Sequence, residues 1–219
     1  MVESCRMIRW NTTPSLYTKT MITTVLFDFF DVLCPDDYKA WLQKHGYKKE
    51  GDFLVISEQL DHGQITTDQF FSRLAELSGS RVDELRSSFI AEPTIDQEVL
   101  AIIKAMRTTH NVGLISNAPS KFLRTILQNH KLEQHFDAII ISSEVGMIKP
   151  HPEIFEYALG QLGGKAAETI FIDDNAHYVA GAEAAGLRGI VFTDAQKLRT
   201  ALRRLGLRLG FDNTQSIPE

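Results

Sequence analysis

The chain has 219 residues, 43% of them hydrophobic and 23% charged, with a net charge of −5 at pH 7. That length fits one domain, or one domain with a sizeable insertion, and it buries enough surface to fold without disulfides or a structural metal. The acidic balance argues against nucleic acid and anionic membranes as partners; no stretch approaches the roughly 18–20 apolar residues of a membrane span; and two cysteines without a pattern point to a reduced, cytoplasmic setting.

Residues 1–20 lack an apolar signal core and a small-residue cleavage site, and read as an N-terminal extension ahead of Met21. ITTVLFD (22–28) is a β-branched apolar run closing on a carboxylate, the pattern of a buried parallel strand. Residues 36–95 then show helical periodicity and no convincing strand: DYKAWLQKHG, DFLVISEQLDHG and TTDQFFSRLAELSG, with Gly46, Gly63 and Gly79 as C-terminal stops and Thr66 or Thr67 as an N-cap. From residue 96 helix and strand alternate. Helical stretches at 96–109, 119–132, 151–163 and 176–186 are interleaved with strands NVGLIS (111–116), DAIIIS (137–142), ETIFID (168–173) and RGIVFT (188–193). Near the end, LRTALRRLGLRLG carries Arg199, Arg203, Arg204 and Arg208 and reads as one exposed helix face. Alternating strand and helix predict an α/β fold, a doubly wound, five-stranded parallel Rossmann-like sheet formed by 21–35 and 96–219. A helical cap at 36–95 is inserted after the first strand. Ligands in such sheets bind beyond the carboxyl ends of the strands, where this insertion would act as a lid.

Four strand ends carry polar chemistry. Asp28 suits a nucleophile, a base or a metal ligand, and equally a turn residue. Ser116 and Asn117 end the second strand ahead of a helix opened by Pro119, which fits an anion cradle as well as a plain N-cap. Lys149, in GMIKPHP, is held by Pro150 and Pro152, so its ammonium has a defined place; a solvated surface lysine is the alternative. Asp173 and Asp174 are adjacent carboxylates that repel unless a cation joins them, and Mg²⁺ suits an all-oxygen set; a solvated turn pair is the alternative. Cys34 reads as a small buried hydrophobe, and Trp41, Phe53, Phe70 and Phe71 as the core of the insertion.

The order VLFDFFDVL, LISNAPS, EVGMIKPHPEIFEYAL and FIDDNAHYVAGAEAAG resembles the haloacid dehalogenase-like hydrolase superfamily, in its phosphatase-like branch with a helical cap between first and second motifs. The resemblance spans about residues 22–206, and LDHGQITTDQFFSRLAELSG also looks like the cap of that branch. It implies a Mg²⁺-dependent hydrolase of a small phosphorylated metabolite. Asp28 would form an aspartyl-phosphate. Asp28, the backbone carbonyl of Phe30, Asp174 and Asp173 would hold the metal. Ser116, Asn117 and Lys149 would bind the phosphoryl group. One position departs from the pattern: the acid/base aspartate two residues after the nucleophile is Phe30, and a phenyl ring can neither protonate a leaving group nor activate water. Asp31 is next, but along an extended chain its side chain is expected to face elsewhere. His177 is a surrogate proton carrier or an exposed helix histidine, and His151 a loop residue or a substrate contact. Two alternatives stay open: a catalytically silent homologue that binds a ligand or partner, and a haloacid dehalogenase-type hydrolase, whose halide leaving group needs no proton.

Overall fold

The computed structural model describes residues 21–89 and 93–209. The N-terminal extension expected at 1–20 therefore lies outside the described residues. Five parallel strands form one sheet: β1 (Thr24–Phe27), β2 (Asn111–Ser116), β3 (Ala138–Ile141), β4 (Thr169–Asp173) and β5 (Arg188–Val191), in the spatial order β3-β2-β1-β4-β5. Between β1 and β2 come α1 (Asp37–Lys44), α2 (Asp52–Asp61), α3 (Thr67–Ser78), α4 (Val82–Ser88) and α5 (Gln97–Met106). Then follow α6 (Ser120–Asn129), α7 (Ser142–Val145), α8 (Pro152–Leu162), α9 (Ala176–Ala184) and α10 (Ala195–Arg204). Among the described residues no helix is long and apolar enough to cross a membrane.

The strands are apolar on both faces because both are covered, as the continuous hydrophobic runs predict. Val25 and Phe27 of β1, with Val112, Leu114, Ile170 and Ile172, pack against α5, α6 and α10 through Ile103, Leu127 and Leu202. Leu26, Ile115 and Phe171 point the other way, onto Ile154, Phe155 and Ala182 of α8 and α9. The two sets alternate along each strand with the period of two that an extended chain imposes. Helices α1–α4 enclose an apolar cluster of their own, with Trp41, Phe70, Phe71 and Leu74 buried and Phe53 packed against it. Thr66 opens α3 with a full capping box to Gln69, and Gly79 closes that helix in the left-handed conformation.

Helix α4 was not visible in the pattern, because seven residues with Leu85 as the buried position are too few to display a period. The basic run is not one exposed face: Arg199 is packed beside Glu98 at 3.5 Å with its side chain 30% exposed, and Arg208 lies past the end of α10.

The layout brings β1 and β4 side by side in register, Phe27 opposite Ile172, and the backbone N–H of Asp28 continues the ladder by donating to the Ile172 carbonyl at 2.9 Å. Asp28 and Asp173 thus leave the sheet at the same level, on neighbouring strands.

Candidate active site

At this carboxyl edge Lys149 sits between the two aspartates. Its ammonium is 2.7 Å from Asp28 Oδ1 and 2.6 Å from Asp173 Oδ2, and all three side chains are buried. The loop carrying Lys149 is held from two directions. Asn117 Nδ2 donates to the Lys149 carbonyl (3.0 Å) while the Lys149 N–H donates to Asn117 Oδ1 (2.9 Å). On the other side Gly181 of α9 lies so close that a Cβ there would fall 2.4 Å from the Pro150 carbonyl oxygen, so only glycine lets the helix carry the loop at this height. Tyr178 offers its ring to the ammonium, 5.0 Å from the centroid.

Asp173 is further fixed by the Asn175 N–H, which donates to its Oδ1 at 2.8 Å, and Asn175 caps α9. Asp174 is more open. Its Oδ2 accepts from Lys39 Nζ at 2.8 Å, and the same ammonium reaches Asp31 Oδ2 at 2.6 Å. Lys39 belongs to α1, so the insertion contributes a cation to the strand-end site. Asp31 takes part because its backbone is left-handed (φ 56°) rather than extended, which corrects the alternation expected from sequence. Asp31, Asp28 and Asp174 line one cavity.

Burial sets the electrostatics. Desolvation, then the charge of Asp173, pushes the Asp28 carboxyl well above the usual carboxylate range, against the pull of Lys149. Burial alone would lower the Lys149 ammonium, but Asp173 and Asp28 overcome it and hold the proton more tightly than usual. Asp174 is raised by burial, with Lys39 opposing. Asp28, Asp31, Asp173 and Asp174 gather around the two ammoniums of Lys39 and Lys149. Asp28, Asp173 and Asp174 can each offer one oxygen, and these three atoms lie within 4.8 Å of one another. An all-carboxylate donor set of that spread fits a hard divalent ion such as Mg²⁺.

Ser116 is fully buried, and its hydroxyl has no hydrogen-bond partner. It lies at the end of β2 behind Asn117, and Asn117 rather than Ser116 is among the residues lining the cavity. The cavity has a volume of about 720 Å³ between sheet edge and insertion, lined among others by Phe30, Lys39, Asp61, Lys149, Asp174 and Tyr178. His177 also lines it but is exposed, and His151 is an exposed residue at the start of α8. Cys34 is buried, and burial pushes its thiol up to about 12, so it is inert packing as expected. Lys39 and Asp61 were not singled out in the sequence; on periodic helices they look like ordinary surface charges, and only the docking of α1 and α2 over the sheet brings them here.

A family model described as haloacid dehalogenase-like hydrolase matches residues 22–186. The sesquiterpene phosphatase astK of Aspergillus oryzae is 29% identical over 152 residues, covering 68% of this chain and 78% of that protein. The pyrophosphatase PpaX of Bacillus mycoides is 30% identical over 93 residues, and there the match spans 42% of this chain and only 43% of the relative. Among solved structures, the HAD family enzyme bt-2542 of Bacteroides thetaiotaomicron, in complex with magnesium and inorganic phosphate, superposes with a TM-score of 0.63 at 24% identity, covering 81% of this chain and 98% of that one. At that identity the likeness is one of fold.

Proposed function

The chain belongs to the haloacid dehalogenase-like hydrolases, and we propose that within them it is a Mg²⁺-dependent phosphatase of a small phosphorylated molecule, working through an aspartyl-phosphate on Asp28. The observation that carries this reading is the buried Asp28–Lys149–Asp173 cluster with Asp174 at ligating distance: a nucleophile, a fixed cation and a metal-binding acid pair at one strand edge. The phosphatase and pyrophosphatase names of the two relatives, and the magnesium and phosphate bound by the solved neighbour, support it. The acidic pair speaks against halide displacement, which needs no divalent metal.

Mg²⁺ would be held by Asp28, Asp173 and Asp174 with the backbone carbonyl of Phe30, and when bound it would offset the repulsion between carboxylate and phosphate. The chain's own residues do the rest. Asp28 attacks phosphorus and the ester P–O bond breaks. Lys149, fixed by Asn117, balances the charge that accumulates on the phosphoryl oxygens. The Ser116 hydroxyl, unpartnered in the protein, supplies a donor to one of those oxygens. Water then attacks phosphorus, releasing phosphate and restoring Asp28.

The test is phosphate release from a panel of phosphomonoesters with Mg²⁺, together with a phosphoryl mass increase on the peptide containing Asp28. No turnover above an Asp28→Asn control on any ester would overturn the proposal. A second reading, a silent homologue that binds a phosphorylated ligand, is favoured by the Phe30 ring lining the cavity. Phe30→Asp separates the two: activity created from none supports the silent reading, whereas a fall in existing activity makes Phe30 part of a working site.

A further inference from the structure

A second cavity, about 480 Å³, adjoins the first: Phe30, Asp36, Lys49, Asp61 and Asn117 line both. Its remaining walls differ in character. Tyr38, Phe70, Phe71 and Phe89 come from the insertion and Phe122 and Ile126 from α6, with Asp37, Arg86 and His130 among the polar residues beside them. The Phe30 ring stacks on Phe122 with centroids 6.2 Å apart and planes 9° from parallel, so the ring that replaces an acid belongs to an aromatic wall. Phe122 is 40% exposed, apolar surface that stays in contact with solvent beside a polar site. The volume is that of a small-molecule pocket.

We propose that this aromatic cavity receives the hydrocarbon part of the substrate, so that the ester cleaved at Asp28 is the phosphate of an apolar alcohol; this rests on the phosphatase reading above. A polar metabolite would leave the aromatic walls wet. A carboxylate at position 30 would face hydrocarbon, whereas a phenyl ring there extends the apolar wall to the edge of the charged cavity. The polar residues shared by both cavities then stand where phosphate meets carbon chain.

The test uses phosphate esters of straight-chain alcohols from butyl to dodecyl, below their micelle concentrations, and the matching alkylphosphonates, which bind without being cleaved. Each buried methylene is expected to raise kcat/KM about three- to fourfold, chiefly through KM (~0.8 kcal/mol at about 1.4 kcal/mol per decade), until the cavity is full. Phe122→Asp, a change at an exposed position, is expected to flatten that rise. A kcat/KM independent of chain length, with phosphonates binding equally, overturns the proposal and means that packing or another stretch of the chain fills the cavity. If no ester is cleaved but phosphonate affinity climbs with length, the apolar site stands and the phosphatase reading falls.

A different observation carries a second inference. Asp61 ends α2, where the helix dipole disfavours a carboxylate, and it lines the cavity that Asp28 lines; among the described residues its hydrogen bond runs through its backbone carbonyl. Its backbone is anchored to the core, since the Ser142 hydroxyl donates to the Asp61 carbonyl at 2.5 Å and itself accepts from the Ala118 N–H at 2.9 Å. The geometry points to Asp61 as the proton carrier that Phe30 removes. In the first step the Asp28 oxygen bonds to phosphorus, the P–O bond to the alcohol breaks, and the leaving oxygen takes the Asp61 proton. In the second, water adds to phosphorus, the Asp28–phosphorus bond breaks, and the water's proton returns to Asp61. Burial pushes this carboxyl up to about 7, with Asp36 and Glu58 adding to the rise and Lys49 and Lys149 opposing it; Tyr178 faces the same group from α9 and Tyr38 from α1.

Asp61→Asn, an isosteric change, is expected to lower kcat on an alkyl ester about 10²- to 10³-fold. With nitrophenyl phosphate, whose leaving group needs no proton, it should give a burst of one equivalent of nitrophenol before slow turnover. The alkaline limb of phosphoenzyme formation on alkyl esters should disappear, and Asp61→Glu should restore part of the rate. Equal losses on both substrates without a burst, an unmoved pH profile, or no turnover of any ester by the unaltered protein would overturn the assignment.

Discussion

On the sheet side of the cavity, Lys149 meets Asp28 and Asp173 within 2.7 Å, with side chains almost wholly out of water. On the insertion side, Lys39 meets Asp31 and Asp174 at nearly the same distances, yet 43% of its side chain is exposed. Equal lengths here mean unequal energies. In the buried cluster each charge has given up its hydration and depends on its partners, so removing one leaves the others uncompensated. In the open cluster water replaces any partner that leaves, and salt screens the rest. A fold retains the first kind only where many contacts hold it, here the Asn117 amide, the Asn175 N–H and the bare Cα of Gly181.

Four substitutions break or sharpen this contrast. The largest effect is expected for Lys149→Met, which leaves Asp28 and Asp173 buried beside each other and should cost about 3–5 kcal/mol in chemical denaturation. Asp61→Asn comes next. Because desolvation pushes the carboxyl from 3.8 up to about 7 in the folded protein, the stability this group contributes is fully present below the lower value and is lost as pH rises through the higher. The variant should therefore match the parent near pH 4 and exceed it by on the order of 2–4 kcal/mol at pH 8; equal pH–stability curves would rule out a proton-retaining carboxyl. Lys39→Met should cost less than about 1 kcal/mol, and less still in high salt. A loss as large as that of Lys149→Met would erase the distinction between the two walls. The smallest change in stability belongs to Ser116→Ala. Its hydroxyl is buried without a partner, so folding should be unaffected or slightly favoured, while kcat/KM on phosphate esters falls about ten- to hundredfold, as when a hydrogen bond to a charged oxygen is lost.

The same contrast explains what could be read without coordinates. Asp28, Asp173 and Lys149 stood out because each interrupts a strong local pattern: a carboxylate closing an apolar strand, a lysine between prolines. The five strands were legible for the same reason, and so was an N-cap at Thr66 or Thr67, which the structure places at Thr66. Lys39 and Asp61 break no pattern, since a charge on the polar face of a short helix is what an amphipathic sequence requires; their meaning comes from how α1 and α2 settle over the carboxyl edge of the sheet, where Lys39 reaches Asp174 and the Asp61 carbonyl accepts from Ser142. At Asp31 the alternation argument assumes an extended chain, whereas the backbone there is left-handed and its carboxylate is held by Lys39 and the Asp36 N–H. The aromatic cavity was hidden too: Phe70 and Phe71 read as core of the insertion, which they are, while Phe30 and Phe122 give no sign in sequence that they stack.

The two hydrogen bonds between the Asn117 amide and the Lys149 backbone act as a clasp between the exit of β2 and the turn before α8. Neither segment can drift without dragging the other. The position of the lysine loop relative to the end of β2 is thus set by the scaffold, like the gap of a caliper, before any ligand arrives.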